Sequence, residues 1–118
     1  MNSGDPDIPA QVSRLSETAG VRLAVAASAN EGLVLHAAGA DDASAPAAAA
    51  LGAALFVRAR SVAAACSHGE PRLLRLQCTA GQLLASPAGS TVLIAVADAD
   101  ANAGRIRLEL LRAAEALT

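Results

Sequence analysis

Residues 46–65 are apolar on almost every side of a helix, and this constrains what the rest of the chain can be. Alanine fills most of the stretch, so helix propensity is high. Ser44 is placed to cap it and Pro46 falls in its first turn. At helical spacing Leu51, Leu55, Arg58 and Val62 form one stripe. Ala47, Ala50, Ala54, Val57, Ser61 and Ala65 form a second, and Phe56, Ala59 and Ala63 a third. A helix apolar nearly all round must be covered on more than one side. A sheet supplies one cover. The second is most simply a partner helix, since small side chains let two backbones approach closely.

The flanking segments supply that sheet. Residues 1–8 read as a disordered lead and residues 9–118 as a single domain. Pro9 opens a short helix with Val12, Leu15 and Ala19 on one face, and Gly20 ends it. Residues 21–28 alternate with Val21, Leu23, Val25 and Ala27 on one face. Beyond Arg22 both faces are nearly apolar, which predicts an interior strand. Asn30-Glu31-Gly32 makes a turn, and residues 33–38 return as a second strand. Residues 72–79 mix Leu74, Leu76 and Cys78 with Arg75, Gln77 and Thr79, the pattern of an edge strand. Residues 82–86 form a short strand, Pro87-Ala88-Gly89 a turn, and residues 91–97 the most apolar strand, placed centrally. Residues 98–102 cap a final helix, 103–117. Ile106, Leu110, Ala113 and Leu117 line its buried face, with Arg105, Glu109 and Arg112 as exposed neighbours.

Composition excludes several functions. The formal net charge is -2 and Phe56 is the sole aromatic residue. A basic stripe for duplexes and stacking platforms for single strands are both lacking, so no nucleic-acid partner is expected. The chain is 53 % hydrophobic and only 17 % charged, which predicts that part of its surface is hidden in a partner. Two cysteines do not make a disulfide framework. The first ten residues lack the pattern of a signal peptide. The run 43–57 stops at Arg58 and reads as too short to span a bilayer. A soluble, cytoplasmic protein with no membrane insertion is the resulting expectation.

Catalytic motifs are missing. Cys66 and His68 offer two ligands where zinc wants at least three, and Cys78 and His36 lie on other elements. A buried core thiol and an exposed loop histidine are expected instead. No serine sits in a G-x-S-x-G elbow. All nine basic residues are arginine, so no P-loop lysine exists. The acidic pairs Asp41-Asp42 and Asp98-x-Asp100 lack an EF-hand register and read as solvated loops or caps. No cofactor, metal or catalytic residue is expected. Arg58 lies on the Leu51/Leu55/Val62 stripe, either reaching to solvent from the edge of a packed face or making a polar interface contact.

The order helix, hairpin, long helix, three-strand meander and helix resembles the Roadblock/dynein light chain family. Val21-Arg22-Leu23-Ala24-Val25-Ala26-Ala27-Ser28 with Glu31-Gly32-Leu33-Val34-Leu35 is similar to its first hairpin. Gly81-Gln82-Leu83-Leu84 is similar to its later turn and strand. Val92-Leu93-Ile94-Ala95-Val96-Ala97 with Asp100-Ala101-Asn102-Ala103-Gly104 is similar to its approach to the last helix. The likeness covers about residues 10 to 117 and is nearest to bacterial MglB-type regulators and to Roadblock proteins encoded beside small GTPases in actinobacteria. The first turn is one residue longer than usual and the long helix unusually rich in alanine. The resemblance implies an α+β fold with a five-stranded antiparallel sheet ordered 2-1-5-4-3. The long helix lies on one face and the terminal helices on the other, as in profilin-like folds. It also implies a homodimer through the third strand and long helix, at Leu51, Leu55, Arg58, Val62, Arg72, Leu74, Arg75, Leu76 and Gln77. The implied partner is a small Ras-like GTPase. Arg58 and Arg60 are the candidate contacts on the helix, Arg60 because it points away from the Leu51/Leu55 stripe and can stay exposed when that stripe is buried. Two alternatives are a ligand-binding sensory module of PAS- or profilin-like shape, which the lack of pocket-lining aromatics disfavours, and a structural subunit resembling a motor light chain.

Overall fold

The structure, a computed structural model, describes residues 7–118. Helix α1 spans Ile8–Ser16, strands β1 and β2 span Val21–Ser28 and Val34–Gly39, and helix α2 spans Ala45–Ala65. Strands β3, β4 and β5 follow at Leu74–Gln77, Gln82–Ala88 and Thr91–Ala97, and helix α3 at Ala103–Ala116. The sheet order is β2-β1-β5-β4-β3 with every pairing antiparallel, as the family resemblance implies.

Two apolar layers sandwich the sheet. Val12 and Leu15 of α1 and Ile106 and Leu110 of α3 pack on Ala24, Ala26, Leu84 and Leu93. On the other face Ala49 and Phe56 of α2 pack on Leu23, Val25, Val92 and Ile94. The two central strands thus bury side chains on both faces, which accounts for their near-continuous apolar sequence.

Several boundaries differ from the sequence reading, each for a local reason. The expected lead lies outside the described residues up to Pro6. Its last two residues start α1: Asp7 is the N-cap, whose Oδ1 accepts the Ala10 N–H at 3.1 Å, and Ile8 opens the helix and packs on the core. The helix stops at Ser16, so Ala19 is exposed and not on its buried face. Val21 joins the α1/α3 layer, not the face of Leu23, because the pairing with β5 slips between Val21 and Leu23. Ser44 sits at the α2 N-cap without a side-chain cap, since a 3₁₀ turn at Asp42–Ser44 runs straight into the helix.

β3 is shorter than residues 72–79. Its hairpin already closes through Cys78 N–H to the Gly81 carbonyl at 2.8 Å, leaving Thr79 and Ala80 as the turn. At the other end the Ser86 hydroxyl donates to the Arg72 carbonyl at 3.1 Å, beyond the last ladder pair. β4 is longer than expected and runs through Pro87 to Ala88. Proline is tolerated there because β3 stops pairing at Ala85, so that side of β4 has no strand partner. The real turn is Gly89-Ser90, with Gly89 at φ 63°.

The sequence pattern also understates α2. The helical stretch Asp42–Ala65 contains an 18-residue window of mean hydropathy 1.4 and is by length and composition apolar enough to cross a membrane. In this fold it lies on the sheet instead. Gly52 makes that seat: a Cβ there would stand 2.5 Å from Ile94 Cδ1.

Gln82 is a second fixed point, 3 % exposed. Its amide donates to the carbonyls of Asp98 and Ala101 at 3.0 Å each, and its Oε1 accepts from Arg75 Nε at 3.2 Å. The turn before α3 is therefore tied to β4 and β3. Asn102 Oδ1 then caps α3 by accepting the Arg105 N–H at 3.1 Å.

Gly52→Val is expected to destabilise the fold by about 2 kcal/mol through overpacking against Ile94. Gln82→Leu should cost about 2 kcal/mol by stranding two carbonyls. Urea unfolding of each variant beside the parent measures both, and an unchanged midpoint would contradict the assigned contact.

Candidate protein-interaction surface

A helix with its side chains is about 10 Å wide, and strands lie about 4.8 Å apart. One helix therefore covers about two strand spacings, while the pair α1 and α3 spans the opposite face. α2 lies over β1, β2 and β5. Its buried residues are Ala45, Ala49, Gly52, Ala53 and Phe56. On the α2 side of β3 and β4, Ala85 is buried in the core and Leu74 and Leu83 are half-buried, but Leu76 is left exposed. An apolar groove of about 340 Å³ runs there, lined by Leu51 and Leu55 of α2 and by Leu76, Leu83 and Val96 of the sheet.

The structure gathers part of the sequence-derived set into this groove. Leu51 is 70 % exposed, Leu76 is 45 % exposed, and Leu55 is half-buried between them and the sheet. Leu74 is half-buried against the α2-side core. Val62 is 63 % exposed farther along α2, and Arg58 is exposed on the same helix. Arg72, Arg75 and Gln77 are exposed on or beside β3. Arg75 donates to both Gln82 and Gln77, which fixes its guanidinium along the edge strand.

Arg60 is held more closely than its position off the Leu51/Leu55 stripe implies. Its guanidinium carbon lies 5.7 Å from the centre of the Phe56 ring, a cation–π contact. Nε is buried without a hydrogen-bond partner, and Glu70 Oε1 stands 3.9 Å away, too far for a hydrogen bond. Arg60 is thus half-covered, whereas Arg58 is open to solvent.

Sequence reasoning missed Leu83 and Val96. The register pairs Leu76 with Leu83 and Leu83 with Val96, so all three share a face. Strand alternation gives each residue's parity, but only the register aligns the parities. It also missed the exposed apolar residues Leu33 and Leu35 of the first hairpin.

The expectation of a buried thiol fails: Cys66 and Cys78 are both exposed, because α2 ends at one and the β3–β4 turn begins at the other. Among the described residues no group of three potential metal ligands is assembled. Asp41 and Asp98 are more than solvated loop acids, since Arg22 reaches them at 3.4 Å and 4.0 Å. The hydrogen bond to Asp41, then the charges of Asp41 and Asp98, raise the Arg22 pKa above its ordinary value. A larger depression of about 610 Å³ opens between α1 and α3 on the far face. Its lining mixes Arg14 and Arg105 with Glu17, Asp100 and Glu109, and Arg105 is already paired with Glu109 at 3.4 Å.

Comparison with known proteins agrees with this architecture. The structure of a Roadblock/LC7 domain from Streptomyces avermitilis superposes with a TM-score of 0.83 at 28 % identity, covering 92 % of both chains. Myxococcus xanthus MglB gives a TM-score of 0.83 at 23 % identity, over 94 % of this chain and 91 % of that one. A structure described as MglB with tetrameric arrangement gives 0.81 at 25 % identity, over 92 % and 82 %. No curated protein matches the chain. The Roadblock/LC7 domain family matches residues 8–98, most of the chain and every strand, and the protein belongs to that family.

Proposed function

We propose that this chain is a non-enzymatic, homodimeric interaction module that binds a small Ras-like GTPase and regulates or scaffolds it. The observation that carries the reading is the apolar groove between α2 and β3, next to a sheet edge with free backbone groups. Water is a poor neighbour for both. A second copy brought up by two-fold symmetry meets each with its own equivalent. The interface elements are α2, with Leu51, Leu55, Arg58 and Val62, and β3 together with the residues leading into it, with Arg72, Leu74, Arg75, Leu76 and Gln77.

The GTPase is assigned on the resemblance to MglB-type regulators together with family membership. The exposed part of the paired α2 helices is its contact surface. Arg58 is the first residue to test, because Arg60 already stacks on Phe56. Such a module needs no catalytic group of its own: it can accelerate hydrolysis by ordering the GTPase's switch residues. Equal affinity for both nucleotide states favours the scaffold role, since only the switch loops distinguish GTP from GDP.

Light scattering is expected to give twice the chain mass at micromolar concentration. Leu76→Arg and Leu55→Glu should each weaken self-association roughly tenfold or more, whereas Leu108→Glu, on the outer side of α3, should leave it unchanged. A monomeric parent, or equal loss in all three variants, contradicts the assignment. In a pull-down with the GTPase loaded with GTP or GDP analogues, binding should depend on the nucleotide. Arg58→Ala and Arg60→Ala should each weaken it roughly fivefold, and with Arg60→Ala the dimer mass should persist.

A further inference from the structure

The backbone of β3 fixes how two copies can join. Cys78 N–H bonds to the Gly81 carbonyl, so Cys78 turns its polar groups toward β4. Strand residues alternate in this respect. Leu76 and Leu74 therefore also face β4, and Arg75 and Gln77 present their N–H and C=O groups to the open edge. Side chains alternate as well. Leu74 and Leu76 lie on the α2 side, Leu74 in that core layer and Leu76 in the groove. Arg75 and Gln77 lie on the other side with Gln82.

A two-fold axis through an antiparallel pair of identical strands can pass only beside one residue and its own copy. An axis beside Arg75 sets two guanidinium-bearing residues directly opposite, which is unfavourable in a cross-strand pair. With the axis beside Gln77, Arg75 falls opposite Thr79, a turn residue that cannot extend the ladder. If the axis lay beside Leu74, Arg75 would pair with Leu73, outside the strand, and Leu76 would face Arg72. Placing it beside Leu76 pairs Arg75 with the partner's Gln77 and Gln77 with the partner's Arg75. Both outward-facing residues of the strand are then used. On the α2 side that register makes one apolar row: Leu74 against Cys78, Leu76 against Leu76, Cys78 against Leu74.

The geometry points to a dimer whose two-fold axis passes beside Leu76, with Leu76 stacked on its own copy at the mouth of the groove and Arg75 opposite Gln77 across the joined sheets. This rests on the homodimer reading above and adds its register. The second copy completes the groove, because Leu76 lines it and is otherwise half exposed. The Gln77 amide that now receives Arg75 within the chain lies where the partner's Arg75 also arrives.

Cysteine cross-linking reads the register directly. In a Cys66→Ser, Cys78→Ser background, Leu76→Cys places two thiols on a non-hydrogen-bonded pair with Cα atoms about 4.5 Å apart. That is within the range for a disulfide. Mild oxidation should convert most of that variant to a covalent dimer on a non-reducing gel. Arg75→Cys should stay uncrosslinked, since its copies lie roughly 8 Å apart across the axis, beyond the limit of about 7 Å. The same holds for Leu74→Cys, at roughly 14 Å. Mixing Arg75→Cys chains with Gln77→Cys chains should give a disulfide between the two kinds, which keeps the test independent of the Leu76 substitution. Cross-linking of Leu74→Cys or Arg75→Cys alone, in a protein that light scattering shows to be dimeric, overturns the register and leaves the dimer standing. A monomeric parent overturns both.

Discussion

β1 and β5 lie side by side at the centre of the sheet and carry apolar side chains to both faces, from Leu23 and Ile94 on one to Ala24 and Leu93 on the other. Such strands are stable only between two layers. The rest of the chain supplies those layers unequally. Two helices, α1 and α3, close one face. The other receives α2 alone, and one helix cannot cover five strands. The open groove over β3 and β4 follows from that imbalance before any partner is considered.

Alanine makes the imbalance more acute. Small side chains let α2 settle near the sheet, to the point that a Cβ at position 52 would stand 2.5 Å from Ile94 Cδ1 and push that side chain aside. A helix seated so low has no long flank to reach outward over β4. Phe56 is the one large residue it buries. Its remaining bulk, Leu51, Val57 and Val62, stands in solvent. Close seating and exposed leucine and valine have one origin: a helix apolar nearly all round that has only one face against the sheet.

Legibility in the sequence tracked the strength of the local signal. The hairpin at Gly32, the apolar strand at Val92–Val96 and the α3 stripe of Ile106 and Leu110 combine large side chains with clear turns, and these elements stand where the pattern puts them. The family likeness supplied the sheet order, which no periodicity contains. In α2 the pattern fell silent. Of the buried set Ala45, Ala49, Gly52, Ala53 and Phe56, only Phe56 lies on a stripe drawn by spacing, and the stripes through Leu51 and Ala47 contribute none, because alanine looks alike on every side. Pro87 misled in the other direction. It reads as a turn, yet it continues β4 where β3 has already ended.

Sequence alone determined the elements and the excess of apolar helix, since propensity, alternation and capping act over a few neighbouring residues. Tertiary structure decided which side of that excess meets the sheet, and it decided the fate of several polar groups. Gln82 is an ordinary strand-opening residue in sequence. In the fold it is buried and ties Arg75 of the edge strand to the carbonyls before α3. Cys66 and Cys78 are apolar enough to be placed inside by composition, yet both are exposed because their elements end there. Register, seating depth and strand ends come from contacts between residues distant in sequence, and no local pattern encodes the geometry of such contacts.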